Sequence, residues 1–238
     1  MPWSVPVLPA ASTAAFPDPL HCRHPDGLVA LGGGLERDRL LEAYRRGIFP
    51  WYEDGGPILW WSPDPRAVLI PGHVEISRRL TRTLRQQRHQ VTIDQHFERV
   101  IRACAAPRDY SQETWITSEM IDAYINLHRA GHAHSLEVHI EDELAGGIYG
   151  VGIGQVFFAE SKFHVRRDAS KIALIELMLR LQQAGYLLCD CQLWNPHLEH
   201  FGVRMINRTD FLRLVEYGTR QPGPNWPLPD PPIKGAEA

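Results

Sequence analysis

The sequence predicts an α/β protein with a small N-terminal domain and a larger mixed α/β domain. Its 238 residues exceed an average domain of about 150 residues. Beyond residue 65, apolar residues recur with helical and strand periods in alternation. Some predicted strands follow one another directly and others are separated by helices, which is typical of a mixed sheet. The content of 44% hydrophobic and 22% charged residues is that of an ordinary globular protein.

Charge and cysteine content exclude several classes of protein. The 25 Lys and Arg against 28 Asp and Glu give a net charge of −3, so any nucleic-acid contact must come from a local basic surface. Four scattered cysteines do not make a disulfide framework. No uncharged run reaches the length of a membrane span, and prolines interrupt the first seventeen residues, which do not resemble a signal peptide. We therefore expect a cytoplasmic monomer without membrane contact.

The N-terminal part contains one predicted helix. Residues 1–30 are rich in proline, and we expect an irregular arm on the surface. The helix runs from Glu36 to Arg46 and has Tyr44 on its apolar side. The aromatic segment from Trp60 to Pro65 ends in two prolines, which favour neither helix nor strand. We place the domain boundary there, giving residues 1–64 and 65–220.

The larger domain alternates between strands and helices. Gly150 to Gly154 is predicted to be a hairpin turn, and Asp168 to begin the longest helix. Residues 221–238 are predicted to be a disordered tail, because six prolines fall among twelve residues from Gln221. The predicted strands are 67–70, 91–93, 134–140, 144–149, 155–160, 186–191 and 203–206; the predicted helices are 77–88, 94–105, 117–129, 168–183 and 209–216.

A row of arginines is the first candidate for function. Arg78, Arg79, Arg82 and Arg85 fall on one predicted helix, three of them at i, i+4 and i+7 and therefore on one face. No acidic residue occurs between Glu75 and Asp94. A solvated helix face is the usual reason for such a row, but the absence of acidic residues here favours contacts to nucleic-acid phosphates.

The second candidate is a set of tryptophans outside any apolar period: Trp51, Trp60, Trp61 and Trp115. Tryptophans beside prolines often pack a domain junction. They also offer flat faces on which an unpaired base can stack.

The third candidate is polar and lies at two strand ends. Glu160 ends one predicted strand, and Asp190 ends another with Gln192 close behind. Ligands tend to bind at such ends, although buried carboxylates can also simply cap loops. The Cys and His spacings are not those of a structural zinc site, so we predict no metal, and the glycines at 150, 152 and 154 do not make a dinucleotide loop.

Eight segments together resemble one known family, the bacterial leucyl/phenylalanyl-tRNA–protein transferases. The similarity extends over about residues 27–211. The segments are Gly-Leu-Val-Ala-Leu-Gly-Gly at 27–33, Tyr-Arg-Arg-Gly-Ile-Phe-Pro-Trp-Tyr at 44–52, Trp-Trp-Ser-Pro-Asp-Pro-Arg at 60–66, Thr-Trp-Ile at 114–116, Gly-Gly-Ile-Tyr-Gly-Val at 146–151, Glu-Ser-x-Phe at 160–163, Ala-Ser-Lys at 169–171 and Asp-Cys-Gln at 190–192.

The resemblance implies an activity and a fold. Leu, Phe or, less well, Met would move from aminoacyl-tRNA to the α-amine of a protein beginning with Arg or Lys, which marks that protein for N-degron proteolysis. The larger domain would resemble the GNAT acyltransferases, and no cofactor is implied. Gly34, Lys162 and His164 depart from the usual family pattern, and the latter two bear on the preference for Leu, Phe or Met.

The resemblance also implies roles for individual residues. Gln192 would hydrogen-bond the attacking amine or the ester carbonyl, with Asp190 orienting it and Glu160 completing the network. Alternatively, the two acids would bind the cationic side chain of the acceptor. Trp51 and Trp115 would stack the terminal adenine, and the arginine row would contact acceptor-stem phosphates. Candidates for the amino-acid pocket, by motif position, are Ile148, Phe157, Leu174 and Cys189.

The chemistry is compatible with this activity. An aminoacyl ester is already activated, so neither ATP nor a covalent intermediate is needed. An α-amine with a pKa of about 7.7–8 is partly neutral near pH 7. Two rival functions are a GNAT enzyme that uses acyl-CoA and a non-catalytic RNA-binding module. Residues 165–170, before the longest helix, lack the glycine expected of a pyrophosphate loop, and an RNA-binding module would leave Glu160, Asp190 and Gln192 unexplained.

Overall fold

The described residues form two β-sheets, one built from strands before Pro63–Pro65 in the sequence and one from strands after them. The computed structural model describes residues 4–10, 15–86, 88–107 and 115–230. The small sheet has the strand order β1-β2-β4-β3. Its strands are β1 (Val7–Leu8), β2 (Leu28–Gly32), β3 (Phe49–Pro50) and β4 (Leu59–Trp61), and helix α1 (Arg37–Arg45) connects β2 to β3.

The small sheet corrects the expectation of an irregular N-terminal arm. β1 pairs in parallel with β2, and β4 lies antiparallel between β2 and β3. Trp60 is buried at its centre and donates a hydrogen bond from Nε1 to the Gly32 carbonyl (2.7 Å). Gly27 has φ +85°, and a Cβ there would lie 2.4 Å from the Ser62 carbonyl oxygen. The sheet therefore requires glycine at that position.

In the part of the chain that the structure describes, the large sheet has seven strands in the order β11-β5-β10-β9-β8-β7-β6. β9 and β10 are parallel, and the other described pairs are antiparallel. The predicted mixed α/β class with a separate small N-terminal unit is thereby confirmed. The strands are β5 (Arg66–Leu69), β6 (Gln90–Ile93), β7 (Ala133–Ile140), β8 (Glu143–Ile153), β9 (Val156–His164), β10 (Leu188–Asp190) and β11 (Arg204–Ile206).

Among the described residues, six further α-helices cover the two faces of the large sheet. Side-chain oxygens of Ser77, Thr117 and Asn207 accept backbone N–H groups at three helix starts, which satisfies donors that a helix leaves unpaired. In the described part of the chain, no helix combines the length and apolar character needed to cross a membrane. The helices are α2 (Arg78–Arg85), α3 (Phe97–Ala105), α4 (Ser118–Arg129), α5 (Ala169–Gln183), α6 (Pro196–Glu199) and α7 (Arg208–Thr219).

Alternation along the strands divides the core between two faces. Tyr149 and Phe158 belong to one buried cluster, which includes residues of α1, α3, α4, α7 and the small sheet. Ile148 and Phe157 belong to the other, which lies under α2, α5 and α6. We call the first the tyrosine face and the second the α5 face. The small sheet and α1 thus pack on the same face as α4 and α7.

Two predictions about the glycine run and the tail are wrong in part. Gly150 lies inside β8, where a Cβ would be 2.2 Å from the Phe158 carbonyl oxygen, so the hairpin turn begins at Gly154. Residues 221–230 pack on the body instead of being disordered: Trp226 stacks on His134 with ring centroids 4.0 Å apart, and Leu228 is buried. Residues 231–238 lie outside the described residues.

Candidate active site

The site forms where two parallel strands diverge. β10 pairs with β9 up to Asp190, which lies opposite Phe158. β9 continues to His164, whereas the chain after β10 turns away at Gln192, which has φ 58° and accepts the Ala67 amide on β5 (3.1 Å). Glu160 lies inside β9 and not at its end as predicted, in a bulge between Ala159, which pairs with Gly150, and Ser161, which pairs with Tyr149. The carboxyl ends of parallel strands are the usual place for a ligand in such sheets.

Asp190 is fully buried and paired with Arg66. Its Oδ1 accepts the Arg66 Nε (2.8 Å) and its Oδ2 the Arg66 Nη2 (2.7 Å). Oδ1 also accepts the backbone N–H of Gln192 (3.0 Å). The guanidinium carbon lies 4.7 Å from the ring centre of Phe49 and 4.5 Å from that of Phe211. Both oxygens of Asp190 therefore hold donors, and the pair fixes the backbone at Gln192.

Glu160 is held by two tyrosines from distant helices. Tyr44 on α1 donates its hydroxyl to Oε1 (2.8 Å), and Tyr124 on α4 donates to Oε2 (3.2 Å). The two tyrosine hydroxyls also contact each other. The residue as a whole is partly exposed to solvent, but its carboxyl group is buried. This burial raises the pKa of Glu160 to about 7, although the two hydrogen bonds from tyrosines act to lower it. Burial likewise raises the pKa of both tyrosines well above 10, so they remain protonated donors.

Three buried donors around these groups lack an acceptor. Arg66 Nη1, Gln192 Nε2 and the Tyr149 hydroxyl have no hydrogen-bond partner among the described residues. Buried donors are rarely left unpaired in folded proteins. Together they provide hydrogen-bonding capacity that water or a bound substrate with acceptor oxygens would satisfy.

Tyr44, Tyr124 and Arg66 were missed as site residues. Tyr44 and Arg66 stand in segments that carry the family resemblance, so a signal for them existed. From the sequence, Tyr44 is expected on the apolar side of a helix and Arg66 at the start of a strand. Tyr124 has no feature that distinguishes it from aromatic residues of the core. Their hydroxyl and guanidinium contacts depend on tertiary packing alone.

The predicted tryptophans divide between core and surface. Trp60 is core, whereas Trp51 is 40% exposed. Trp61 donates from Nε1 to the Trp51 carbonyl (2.7 Å), with ring centroids 6.3 Å apart. Trp115 is partly buried against the tyrosine-face core. The exposed ring of Trp51 is available for stacking, and the stacking role of Trp51 and Trp115 stays a prediction.

The predicted pocket residues lie on the opposite face from the carboxylates. Ile148, Phe157, Leu174 and Cys189 are each no more than 3% exposed and form part of the layer under α5. All four belong to one buried apolar cluster. Their role in binding a substrate side chain stays a prediction, which requires access through the sheet where β9 and β10 diverge.

The arginine row lies exposed on α2, and one of its members, Arg79, forms an ion pair. Arg79 donates two hydrogen bonds to Asp168 at the start of α5 (2.6 and 2.9 Å). The absence of nearby acids, read from the sequence, is therefore misleading for Arg79, because its partner lies 89 residues away. Arg78, Arg82 and Arg85 are exposed and form no ion pair with another described residue.

Within the described ranges, no group of three His, Cys, Asp or Glu side chains is arranged to hold a metal ion. The carboxylates at the divergence of β9 and β10 are bound by tyrosines and an arginine instead. The site thus offers proton-transfer and hydrogen-bonding groups.

Comparisons with family models and with the sequences of known proteins agree on one family. A family model described as "Leucyl/phenylalanyl-tRNA protein transferase" matches residues 68–216, and one for the N-terminal domain of that family matches residues 33–64. Proteins named leucyl/phenylalanyl-tRNA–protein transferase are similar to the chain. The one from Pseudomonas syringae pv. tomato is 56% identical over 189 residues, 79% of this chain and 82% of its own. The one from Solidesulfovibrio magneticus is 50% identical over 228 residues, 94% and 92%.

Among solved structures, L-PGS from Bacillus licheniformis matches with a TM-score of 0.40 at 10% identity, over 71% of this chain and 56% of that one. This likeness is too slight to support an argument about the fold, so the GNAT-like architecture stays a prediction.

Proposed function

The chain belongs to the leucyl/phenylalanyl-tRNA–protein transferase family, and we propose that it moves Leu or Phe, and less readily Met, from aminoacyl-tRNA to the α-amine of proteins that begin with Arg or Lys. The product would be marked for N-degron proteolysis. We propose that the enzyme acts as a monomer in the cytoplasm. The observation that carries the proposal is that Glu160 and Gln192 both follow the last paired residues of β9 and β10, two parallel strands that diverge there.

The reaction is the aminolysis of an ester. The acceptor nitrogen attacks the carbonyl carbon, a C–N bond forms, and the C–O bond to the terminal ribose breaks. The amine loses one proton and the departing ribose oxygen gains one. Because the ester arrives activated, holding the amine against the carbonyl can supply much of the acceleration.

Glu160 suits the proton transfer. A group with a pKa of about 7 is partly ionised at neutral pH, so it can take the proton from the amine and return it to the ribose oxygen. The hydroxyls of Tyr44 and Tyr124 donate to its two oxygens and thereby fix the direction of the carboxylate.

Asp190 suits a positioning role. Its charge is already balanced by Arg66, with which it forms two hydrogen bonds. Binding the acceptor's cationic side chain would require breaking this buried pair. Glu160 forms no ion pair with another described residue and is held by two tyrosine hydroxyls instead. Gln192, anchored through its backbone to Asp190, presents an unpartnered amide nitrogen for the ester carbonyl.

Substrate contacts follow from the exposed groups. Trp51 and Trp115 would stack the terminal adenine. Arg78, Arg82 and Arg85, with Arg79 held by Asp168, would contact acceptor-stem phosphates without reading sequence, as an enzyme that accepts more than one tRNA requires. The pocket for Leu or Phe would be lined by Ile148, Phe157, Leu174 and Cys189, entered between β9 and β10.

The direct test mixes the protein with labelled Leu-tRNA and peptides that differ only in a first residue of Arg or Ala. Label should appear on the Arg peptide alone. Tight binding of Leu-tRNA without transfer to either peptide would support an RNA-binding module. Saturable micromolar binding of acetyl-CoA would support the acyl-CoA enzyme.

A further inference from the structure

Two glycines of β8 leave a trough on the α5 face of the large sheet. Gly150 and Gly152 lie on the same side of β8 as Ile148 and therefore face α5. Because neither has a side chain, they leave a space between their cross-strand neighbours, His134 on β7 and Phe157 on β9. A Cβ on Gly150 would lie 2.6 Å from Phe157 Cε1, so the Phe157 ring lies over this glycine. We call the space between His134 and Phe157 the glycine trough.

The C-terminal segment fills the glycine trough with Trp226. Its indole stacks on the His134 ring, with centroids 4.0 Å apart and planes inclined by 6°. The same indole lies 5.7 Å from the Phe157 ring at an angle of 29°. Its Nε1 donates to the Tyr186 hydroxyl (2.9 Å), and a Cβ on Gly152 would lie 3.4 Å from this nitrogen. Trp226 is thus inserted between a ring of β7 and a ring of β9.

The segment that carries this indole is fixed on both sides of it. Before the indole, the segment passes close to the β8–β9 turn, where a Cβ on Gly154 would lie 2.8 Å from the Gln221 carbonyl oxygen. After the indole, Leu228 is buried in the core of the α5 face. Arg180 on α5 then donates from Nη2 to Asp230 Oδ1 (2.6 Å). Contacts on both sides therefore hold the indole in the glycine trough.

Phe157 lies at the closed end of the opening between β9 and β10. Asp190 and Phe158 are the last residues that these strands pair, and they belong to the tyrosine face. The pair before them, Phe157 and Cys189, is therefore the last one whose side chains face α5. The edge of the Phe157 ring also packs on Tyr186, with centroids 6.3 Å apart and planes at 80°. The position of this ring thus depends on the indole and on Tyr186.

We propose that Trp226 is a specificity-determining positioning residue, which sets the depth of the pocket for Leu or Phe by holding the ring of Phe157. This inference rests on the proposed function, in which Phe157 lines that pocket. A side chain that enters between β9 and β10 reaches Phe157 at the end of the opening. The indole occupies the space into which the Phe157 ring would otherwise withdraw. The depth available to the substrate is therefore fixed by a residue that does not itself touch the substrate.

The test measures kcat/KM for Phe-tRNA relative to Leu-tRNA, with one Arg peptide as the acceptor. Trp226→Ala empties the glycine trough behind Phe157, so the ring can withdraw and the ratio of Phe to Leu transfer should rise about tenfold, the discrimination that a small change in an apolar pocket gives. Trp226→Phe keeps a ring in the trough and should raise the ratio less. Leu228→Ala is the matched control. Leu228 belongs to the same segment and the same buried layer but has no ring to stack on Phe157, so this variant should lose stability at an unchanged ratio.

A second measurement separates positioning from a general loss of stability. If Trp226 acts through Phe157, its replacement should have no further effect once that ring is absent. Trp226→Ala introduced into Phe157→Leu should therefore leave the ratio of Phe157→Leu unchanged within about twofold, which independent contributions of the two residues would not give. Urea unfolding of the same variants measures their stability separately.

Other outcomes overturn the inference in distinguishable ways. An unchanged or lower ratio in Trp226→Ala would remove the positioning role, and the proposed function would stand if Leu174→Ala still altered the ratio. Equal shifts in Trp226→Ala and Leu228→Ala would attribute the effect to a loosened segment instead of the Phe157 ring. A full effect of Trp226→Ala in the Phe157→Leu background would show that Trp226 does not act through that ring. Failure of the unsubstituted protein to transfer either amino acid to the Arg peptide would refute the proposed function itself.

Discussion

The two faces of the seven-stranded sheet are built on different principles, although the same strands supply both. On the tyrosine face, Glu160 and Asp190 are held by particular polar side chains of other elements: Tyr44 is 116 residues from Glu160, and Arg66 is 124 residues from Asp190. On the α5 face, apolar side chains fill a closed layer. A buried charge needs one particular partner, whereas an apolar layer needs the right volume. Substitutions on the two faces should therefore destabilise the protein for different reasons.

The largest effect is expected from Arg66→Met on the tyrosine face. The substitution leaves the fully buried Asp190 without its cation, which should lower the free energy of unfolding by about 3–5 kcal/mol. Urea unfolding monitored by tryptophan fluorescence measures this value. The double variant Arg66→Met/Asp190→Leu should recover most of the stability while lacking transfer activity.

The control for that experiment is Arg79→Ala. Arg79 also forms two hydrogen bonds to an aspartate, but its side chain is 52% exposed, so the loss should be about 0–1 kcal/mol. If Arg66→Met and Arg79→Ala cost the same, the contrast between buried and exposed pairs does not hold here.

On the α5 face, Leu174→Ala distinguishes a purely structural role of Leu174 from a role in lining the amino-acid pocket. Truncation of this buried residue should cost about 2–5 kcal/mol of stability. If Leu174 also lines the amino-acid pocket, the ratio of Phe to Leu transfer should rise about tenfold, since a hydrophobic pocket discriminates by about 1–3 kcal/mol per methylene. Leu181→Ala, in the same helix and the same layer, should lose similar stability at an unchanged ratio. Equal ratios in the two variants would make Leu174 core alone.

Trp51→Ala removes an exposed ring near the small sheet. We expect the fold to persist and transition-state binding of aminoacyl-tRNA to weaken by about 1–3 kcal/mol, the value of one base–aromatic stack. Trp51→Phe keeps an aromatic face and should restore part of the loss. The measurement is kcat/KM for Leu-tRNA at fixed acceptor concentration, and unchanged kinetics in Trp51→Ala would remove the stacking role.

The smallest effect concerns the arginine row. Arg82→Gln should reduce the dependence of log KM for Leu-tRNA on log salt by about 0.7–0.9, the contribution of one phosphate contact. Arg79→Gln should change this slope less, because Asp168 already holds that guanidinium. Identical slopes in Arg82→Gln and the parent would place the RNA elsewhere.

The long helices and strands and the two acids of the site could be predicted from the sequence. The very short strands and the residues that act through contacts with distant parts of the chain could not. The periods of β7 and α5 extend over 8 and 15 residues, enough for a clear pattern. The strands β1 and β3 have two residues each, too short for any period, so the small sheet was not foreseen. Asp190 was found because it ends a strand, and Glu160 because the predicted strand ended there, although β9 continues to His164. Tyr44 and Arg66 were not, since a hydrogen bond over more than a hundred residues leaves no local pattern.

The account depends most on Glu160 as the proton acceptor at the divergence of β9 and β10. The decisive measurement is the pH dependence of kcat/KM for transfer from Leu-tRNA to an Arg peptide, in the parent and in Glu160→Gln. The parent should gain activity through an inflection near the Glu160 pKa of about 7, together with a second one near the acceptor amine's pKa of about 7.7–8. Glu160→Gln should be slower by about 10²–10⁴ and should keep only the inflection of the amine. An unchanged lower inflection in Glu160→Gln, or a rate close to that of the parent, would contradict the mechanism.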